Sequence, residues 1–232
     1  MKRALVLEDE PAISEFVEIN LIRAGYDVIT ASTGEEALEL VEQNDDITVA
    51  LLDVMLPGID GFEVCRRIRE MGRSFGIIML SARSQEMDKV TGLMIGADDY
   101  VPKPFSPTEL ILRVDALARR VERKPDVEIK PMAESIYSGD FRLDIRSRIL
   151  YKRGEPVDLT QVEYVIVRYL FENRNKALSR DDILNSVWGN DYTGEPKIVD
   201  VNVRRLRLKL EDNPGDPVHL VSVRGFGYKW ID

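Results

Sequence analysis

Val49-Ala50-Leu51-Leu52-Asp53 is the stretch that decides the fold: four apolar residues without a break, closed by one carboxylate. A strand with one wet face alternates apolar and polar residues. A continuous apolar run instead suits a strand covered on both faces, as in a parallel sheet. The same pattern recurs at Ala4-Leu5-Val6-Leu7, which runs into Glu8-Asp9-Glu10, and at Ile77-Ile78-Met79-Leu80, which ends on Ser81. Tyr26 to Ala31 and Asp99 to Val101 are weaker strands, the second followed by Lys103-Pro104. Between the strands the period lengthens. Ile13, Phe16, Val17 and Leu21, and later Leu110, Val114, Leu117 and Val121, repeat at helical spacing. Gly25 ends the first helix and Ser32-Thr33-Gly34 opens the second. Strand and helix alternate five times, which predicts a doubly wound α/β sandwich.

The polar residues at the strand ends carry the chemistry. In open parallel sheets, ligands bind at the carboxyl ends of the strands, near the switch in strand order. Glu8, Asp9, Asp53, Ser81 and Lys103 would all meet on that edge. Carboxylates converging there need a cation, and an all-oxygen set suits hard Mg²⁺ better than zinc. Lys103 supplies a fixed positive charge and Ser81 a hydroxyl.

Composition bounds the rest. The chain has 232 residues, 44% apolar and 31% charged, enough for one large domain or two ordinary ones. No run approaches the roughly eighteen apolar residues of a membrane helix. The N-terminus turns acidic after four apolar residues, too short for a signal peptide. The single Cys65 allows no internal disulfide and no Cys-ligated metal cluster. The single His219 rules out His-rich metal sites and argues against a His-based dyad. A cytoplasmic protein with no membrane partner is expected. The net charge of −9 is uneven: residues 1–121 hold 13 Lys and Arg against 22 Asp and Glu, and the remainder 19 against 19. Two domains with different partners are implied. Val121 to Pro131, with alternating charges and two prolines, reads as an extended linker. We therefore expect domains over 1–121 and 136–232, joined by a linker over 122–135.

In the second domain, Phe141 to Asp144 and Arg148 to Tyr151 alternate like half-buried strands. Thr160 and Glu163 form a capping box ahead of a helix bearing Val162, Ile166, Tyr169 and Leu170. Ser179 caps a second helix with Ile183, Leu184 and Val187. A third runs from about Pro196 to Leu210, and the chain closes in a hairpin over Val218–Val223 and Tyr228–Ile231. Three helices and a hairpin predict a winged helix-turn-helix. On the third helix Val199, Val203, Leu206 and Leu210 share the core stripe. At about 100° per residue, the opposite side carries Lys197, Val201, Arg204, Arg205 and Leu208, with Arg207 at its flank. A basic outward face is the footprint of a helix in the DNA major groove. Arg224, at the tip of a Gly-rich hairpin, is placed for a minor groove or a phosphate.

Residues 1–121 resemble a two-component receiver domain through Leu5–Glu10, Leu52–Gly61, Leu80–Ala82 and Gly96–Phe105, which makes the expected fold a flavodoxin-like (βα)5 receiver. The resemblance implies that Asp53 accepts a phosphoryl group from a sensor histidine kinase. Glu8, Asp9, Asp53 and the Met55 backbone carbonyl would hold Mg²⁺. Ser81 and Tyr100 would be switch residues and Lys103 the conserved-type lysine. Lys89, Asp98, Asp99, Arg113 and Arg120 match positions that pair between subunits in active dimers of the OmpR/PhoB subfamily, implying a homodimer on phosphorylation. Val199–Arg207 and Val223–Tyr228 resemble the effector domain of the same subfamily, in which the positions of Asn202, Arg205 and Arg207 contact double-stranded promoter DNA and Arg224 lies on the wing. The loop from Trp188 to Pro196 matches a segment offered to RNA polymerase. Asn202 stands where His is common and Leu208 where Lys is common.

Two rivals belong to other classes. An Asp-nucleophile phosphatase would carry a second Asp two residues after the first, where this chain has Met55. A constitutive DNA-binding protein with a vestigial receiver would lack the acids, the hydroxyl or the lysine, and all are present. The expected protein is therefore not an enzyme. It is a phospho-acceptor that assists its own phosphoryl transfer and regulates transcription.

Overall fold

The computed structural model describes residues 2–82, 95–122, 135–189, 192 and 196–232. The chain divides into two compact units, Met1–Val121 and Glu122–Asp232.

In the first unit the strands are β1 (Lys2–Leu7), β2 (Tyr26–Ala31), β3 (Ile47–Asp53), β4 (Gly76–Ser81) and β5 (Asp99–Pro102). The helices are α1 (Pro11–Arg23), α2 (Gly34–Gln43), α3 (Gly61–Glu70) and α4 (Pro107–Glu122). The sheet is parallel, in the order β2-β1-β3-β4-β5. Strand order reverses between β1 and β3, the crevice where this topology binds ligands. The three apolar runs are the central strands, and Leu5, Leu51, Leu52, Ile77 and Ile78 are each fully buried. Thr33 caps α2, its hydroxyl accepting the Glu36 N–H. Asp60 caps α3 in the same way with Glu63.

The stripe on α1 is narrower than its spacing predicts. Val17 and Leu21 are buried, but Phe16 is 42% exposed. Phe16 lies about 100° around the axis from Val17, off the row that touches the sheet. On α4, Leu110, Val114 and Leu117 are buried as expected; the side chain of Val121 lies outside the described residues.

The second unit opens with an antiparallel sheet in the order β6-β7-β8-β9, formed by Ser135–Ser138, Phe141–Asp144, Ile149–Lys152 and Glu155–Val157. Its outer strands are additions to the expected pair. Helices α5 (Gln161–Glu172), α6 (Arg180–Trp188) and α7 (Lys197–Leu210) come next. A second sheet, β10-β12-β11, joins Leu178–Ser179 to the terminal hairpin of Leu220–Val223 and Gly227–Trp230. The expected capping box of Thr160 with Glu163 exists, and Ser179, expected only as a cap, forms a second box with Asp182. Gly227 is required by close approach: a Cβ there would sit 2.1 Å from the Leu178 carbonyl oxygen. Trp230 is fully buried among Phe141, Phe171 and His219, whose ring lies nearly parallel to the indole. Cys65 is buried in α3. Of the expected linker, Glu122 ends α4 and Ser135 starts β6; residues 123–134 are outside the described set.

Candidate functional site: a phospho-acceptor edge and a DNA-facing helix

The acidic residues at the ends of β1 and β3 meet in space. One carboxylate oxygen from each of Glu8, Asp9 and Asp53 lies within 4.8 Å of the others. Glu8 and Asp53 are 2% and 4% exposed, while Asp9 is open to solvent. Lys103, just after β5, donates through Nζ to Glu8 Oε2 and to Asp53 Oδ2, each at 2.7 Å. The other Asp53 oxygen accepts the Met55 N–H at 3.0 Å. Both oxygens are therefore held, and the carboxylate is aimed before any ligand arrives.

Three carboxylates face one ammonium, and the electrostatics show the imbalance. Burial pushes the Glu8 carboxyl up to about 7; the hydrogen bond from Lys103 opposes the rise, and the Asp53 charge adds to it. Burial works against the Lys103 ammonium, but hydrogen bonds to Asp53 and Glu8 outweigh it and raise its pKa. All the donors are hard oxygens, so the set fits a divalent cation such as Mg²⁺.

Gly61 matters to this geometry, although sequence spacing alone assigns it no role. A Cβ there would lie 2.0 Å from the Asp53 carbonyl oxygen, so α3 can start beside β3 only with glycine at that point. The signal was the Pro57-Gly58-Ile59-Asp60-Gly61 turn.

The two residues expected to act as a switch lie on neighbouring strands, Ser81 at the end of β4 and Tyr100 in β5, level with Met79. Ser81 is fully buried at the end of β4, and its carbonyl accepts the Lys103 N–H at 2.7 Å. Tyr100, in β5, is only 6% exposed.

Three of the charges assigned to a dimer face are interior. Asp98 is fully buried, accepting from Arg69 at 2.8 Å and from the Ile77 N–H at 2.9 Å. Asp99 and Arg113 form a buried pair at 3.1 Å, and Arg113 also binds Glu109. They are thus partnered within one chain, because β5 and α4 bring them against their own core. Lys89 and the Arg120 side chain lie outside the described residues. Leu112, 42% exposed, leaves apolar surface on the same helix.

α7, the helix expected to face DNA, needs the larger correction. Lys197 and Arg204 are exposed as expected, and Arg224 stands exposed between the hairpin strands. Val201, Asn202 and Arg205 are not outward: they are 7%, 0% and 6% exposed. Asn202 turns its amide back to the Ile198 carbonyl at 2.8 Å. Arg205 reaches inward to Glu163 on α5 at 3.0 Å. Arg207 is half-buried and donates to the Leu220 carbonyl at 2.8 Å and the Ser222 hydroxyl at 3.0 Å, tying the helix to the wing. A helix packed against α5, α6 and the wing buries more than half its circumference, so the exposed strip narrows to Lys197, Arg204 and Leu208.

Sequence spacing missed the carboxylates that organise this surface. Glu163, fully buried, also accepts from Lys209 at 2.7 Å. Asp200 accepts from Arg180 at 2.7 Å and from the Tyr228 hydroxyl at 2.6 Å. The Glu211 carboxylate accepts the backbone N–H groups of Val218, His219 and Leu220. Glu163 was visible only as a capping residue. The partners of Asp200 lie 20 and 28 residues away, beyond any local period.

Residues 4–115 match the response regulator receiver domain, and residues 154–230 match the C-terminal domain of transcriptional regulatory proteins. The chain is 44% identical, over 98% of its length and 96% of the relative's, to the alkaline phosphatase synthesis transcriptional regulatory protein PhoP of Bacillus subtilis. It is 30% identical, over all of both chains, to the OmpR/PhoB homologue DrrB of Thermotoga maritima, with a TM-score of 0.51. A RitR mutant is 27% identical over 99% of each chain, with a TM-score of 0.78. No helix among the described residues is long and apolar enough to cross a membrane. A receiver-type acidic edge and a winged helix joined in one chain, matched over nearly all of its length, make this protein a member of the OmpR/PhoB family of two-component response regulators, which bind DNA to regulate transcription.

Proposed function

We propose that Asp53 is the phospho-acceptor through which a sensor histidine kinase controls this regulator. The observation that carries the reading is the Asp53 carboxylate, held at the end of β3 by Met55 and Lys103 beside Glu8 and Asp9. An Asp53 oxygen forms the new P–O bond as the P–N bond to the kinase histidine breaks, and the imidazole leaves with the bonding pair. Phosphoryl transfer asks chiefly for an in-line nucleophile and neutralised oxygens. Lys103 supplies one cation. Glu8, Asp9, Asp53 and the Met55 carbonyl would hold Mg²⁺, which when bound offsets charge on the phosphoryl oxygens. The Ser81 hydroxyl is the group to bond a phosphoryl oxygen, and Tyr100 to register that shift by packing.

In this reading the phosphorylated receiver forms a homodimer. Leu112 supports an interface on α4, and Lys89 and Arg120 are the further positions that the resemblance assigns to it. Two winged helices then engage neighbouring half-sites, and the linkage raises affinity through effective concentration. DNA contact runs through Lys197, Arg204 and Arg224. Val201, Asn202, Arg205 and Arg207 support the helix from behind. RNA polymerase is the further partner, through the loop from Trp188 to Pro196, of which 188, 189, 192 and 196 are described.

Sedimentation with Mg²⁺, with and without beryllofluoride, tests the reading. Wild type is expected to pass from monomer to dimer and Asp53→Ala to stay monomeric. A shift in both, or in neither with beryllofluoride bound to wild type, overturns it.

A further inference from the structure

We infer that Leu208 is a base-selecting residue, one that packs on a thymine methyl in the major groove. The inference rests on α7 being the helix that enters the groove. Leu208 is 59% exposed, among the most exposed large apolar side chains in the protein. It lies four residues after Arg204 and eleven after Lys197, hence within about 20° of Lys197 around the axis. These three exposed residues form one strip along α7.

The neighbouring residues of α7 are turned elsewhere. Val201, Asn202 and Arg205 are buried. Arg207 is tied to the wing and Lys209 to Glu163 and the Asp158 carbonyl. Asp200, the one acid nearby on the helix, is engaged by Arg180 and Tyr228. The surface presented is two cations and a leucine.

The chemistry of that set selects its occupant. The cations call for a polyanion. A leucine at the end of their strip can neither bind phosphate nor hydrogen-bond a base edge, so it favours a contact that asks for neither. Among the base-pair edges in the major groove, the apolar group is the thymine C5-methyl. Against G·C the same leucine would cover donors and acceptors and leave them unpaired, which is unfavourable. A protein partner with an apolar groove fits less well, because a single leucine beside two cations offers it little area.

The test uses the full-length chain with Mg²⁺ and beryllofluoride, and a duplex selected from a random pool by the wild-type protein. Thymines in that duplex are replaced one at a time by deoxyuridine, which removes only the methyl. At one position per half-site, wild-type affinity should fall about three- to fivefold, as for loss of one buried methyl. Leu208→Ala should bind the parent duplex more weakly and be indifferent to deoxyuridine at that position. Leu208→Lys should lose the preference and steepen the salt dependence. The inference is overturned if no single replacement weakens wild type, if Leu208→Ala keeps the same penalty, or if Leu208→Ala alters only self-association. Arg204→Ala separates this from the groove reading. If that variant binds with unchanged affinity and salt slope, α7 is not the DNA face and the underlying reading fails first.

Discussion

Each half of the molecule buries a small charged cluster, and the two are opposite in balance. In the receiver, Glu8, Asp9 and Asp53 face the single ammonium of Lys103. In the effector, the single carboxylate of Glu163 faces Arg205 and Lys209. The first cluster is short of positive charge and has a partly open side at Asp9, which suits the cation and the phosphoryl group proposed for it. The second carries surplus positive charge, and both of its cations, Arg205 and Lys209, belong to α7, the helix proposed to face DNA. Buried charge is expensive unless paired, and neither cluster is fully neutralised from within. The imbalance in each matches the kind of ligand proposed for it. In the proposed function the difference lies in how the ligand is met: the receiver's charged residues would react with it, whereas the effector's would position a helix whose outer strip touches it.

The comparison can be broken most severely at Asp53. Asp53→Ala should reduce labelling by a small acyl phosphate to background while leaving the effector's DNA contact intact. Labelling that survives would move the acceptor elsewhere. Next comes Lys103→Met, which leaves buried Glu8 and Asp53 without their ammonium. Phosphoryl transfer should slow about 10²- to 10³-fold, and Mg²⁺ should raise the melting temperature more than in wild type. An unchanged rate would make Lys103 a structural partner only, like Arg205.

The matching change in the effector is Glu163→Ala, which strands Arg205 and should destabilise that unit by about 3–5 kcal/mol. The pH dependence has a definite sign. Burial tends to raise the Glu163 carboxyl, but Arg205, Lys209 and the Thr160 N–H outweigh it, so its folded pKa lies below the ordinary 4.5. Its stabilisation is therefore present above pH 4.5 and lost as pH falls through and below that value. Denaturation of Glu163→Gln should show less acid sensitivity in that window; an identical slope would mean the ion pairs contribute nothing. The smallest effects separate outer strip from inner support. Arg204→Ala should reduce the salt slope of DNA binding by about 1. Arg207→Ala should instead cost about 1–2 kcal/mol of stability through its lost wing hydrogen bonds. Equal salt effects from both would erase the distinction between them.

Much of the receiver site was legible because a parallel sheet has one simple geometric rule. Every strand's carboxyl end lies on the same edge, so residues that come after apolar runs must meet there whatever their separation along the chain. Asp53, Glu8 and Lys103 are 45 to 95 residues apart and still end within hydrogen-bonding reach. A helix offers no such rule. Its period shows which residues share a face, but how wide a face is covered depends on what packs against it. That is why Arg205 read as outward and lies inward; Asp98 and Asp99, where β5 begins, read as surface charges by resemblance alone and are buried.

Apolar runs, helical stripes and capping residues determined by themselves the two architectures, the strand-end chemistry and the presence of a basic helix beside a hairpin. These are local or periodic signals, carried by backbone geometry and burial. Tertiary structure alone decided which charges are spent inside the protein and which are left for a partner. An ion pair depends on distance and desolvation between elements remote in sequence, and neither quantity is written in the spacing of residues along the chain.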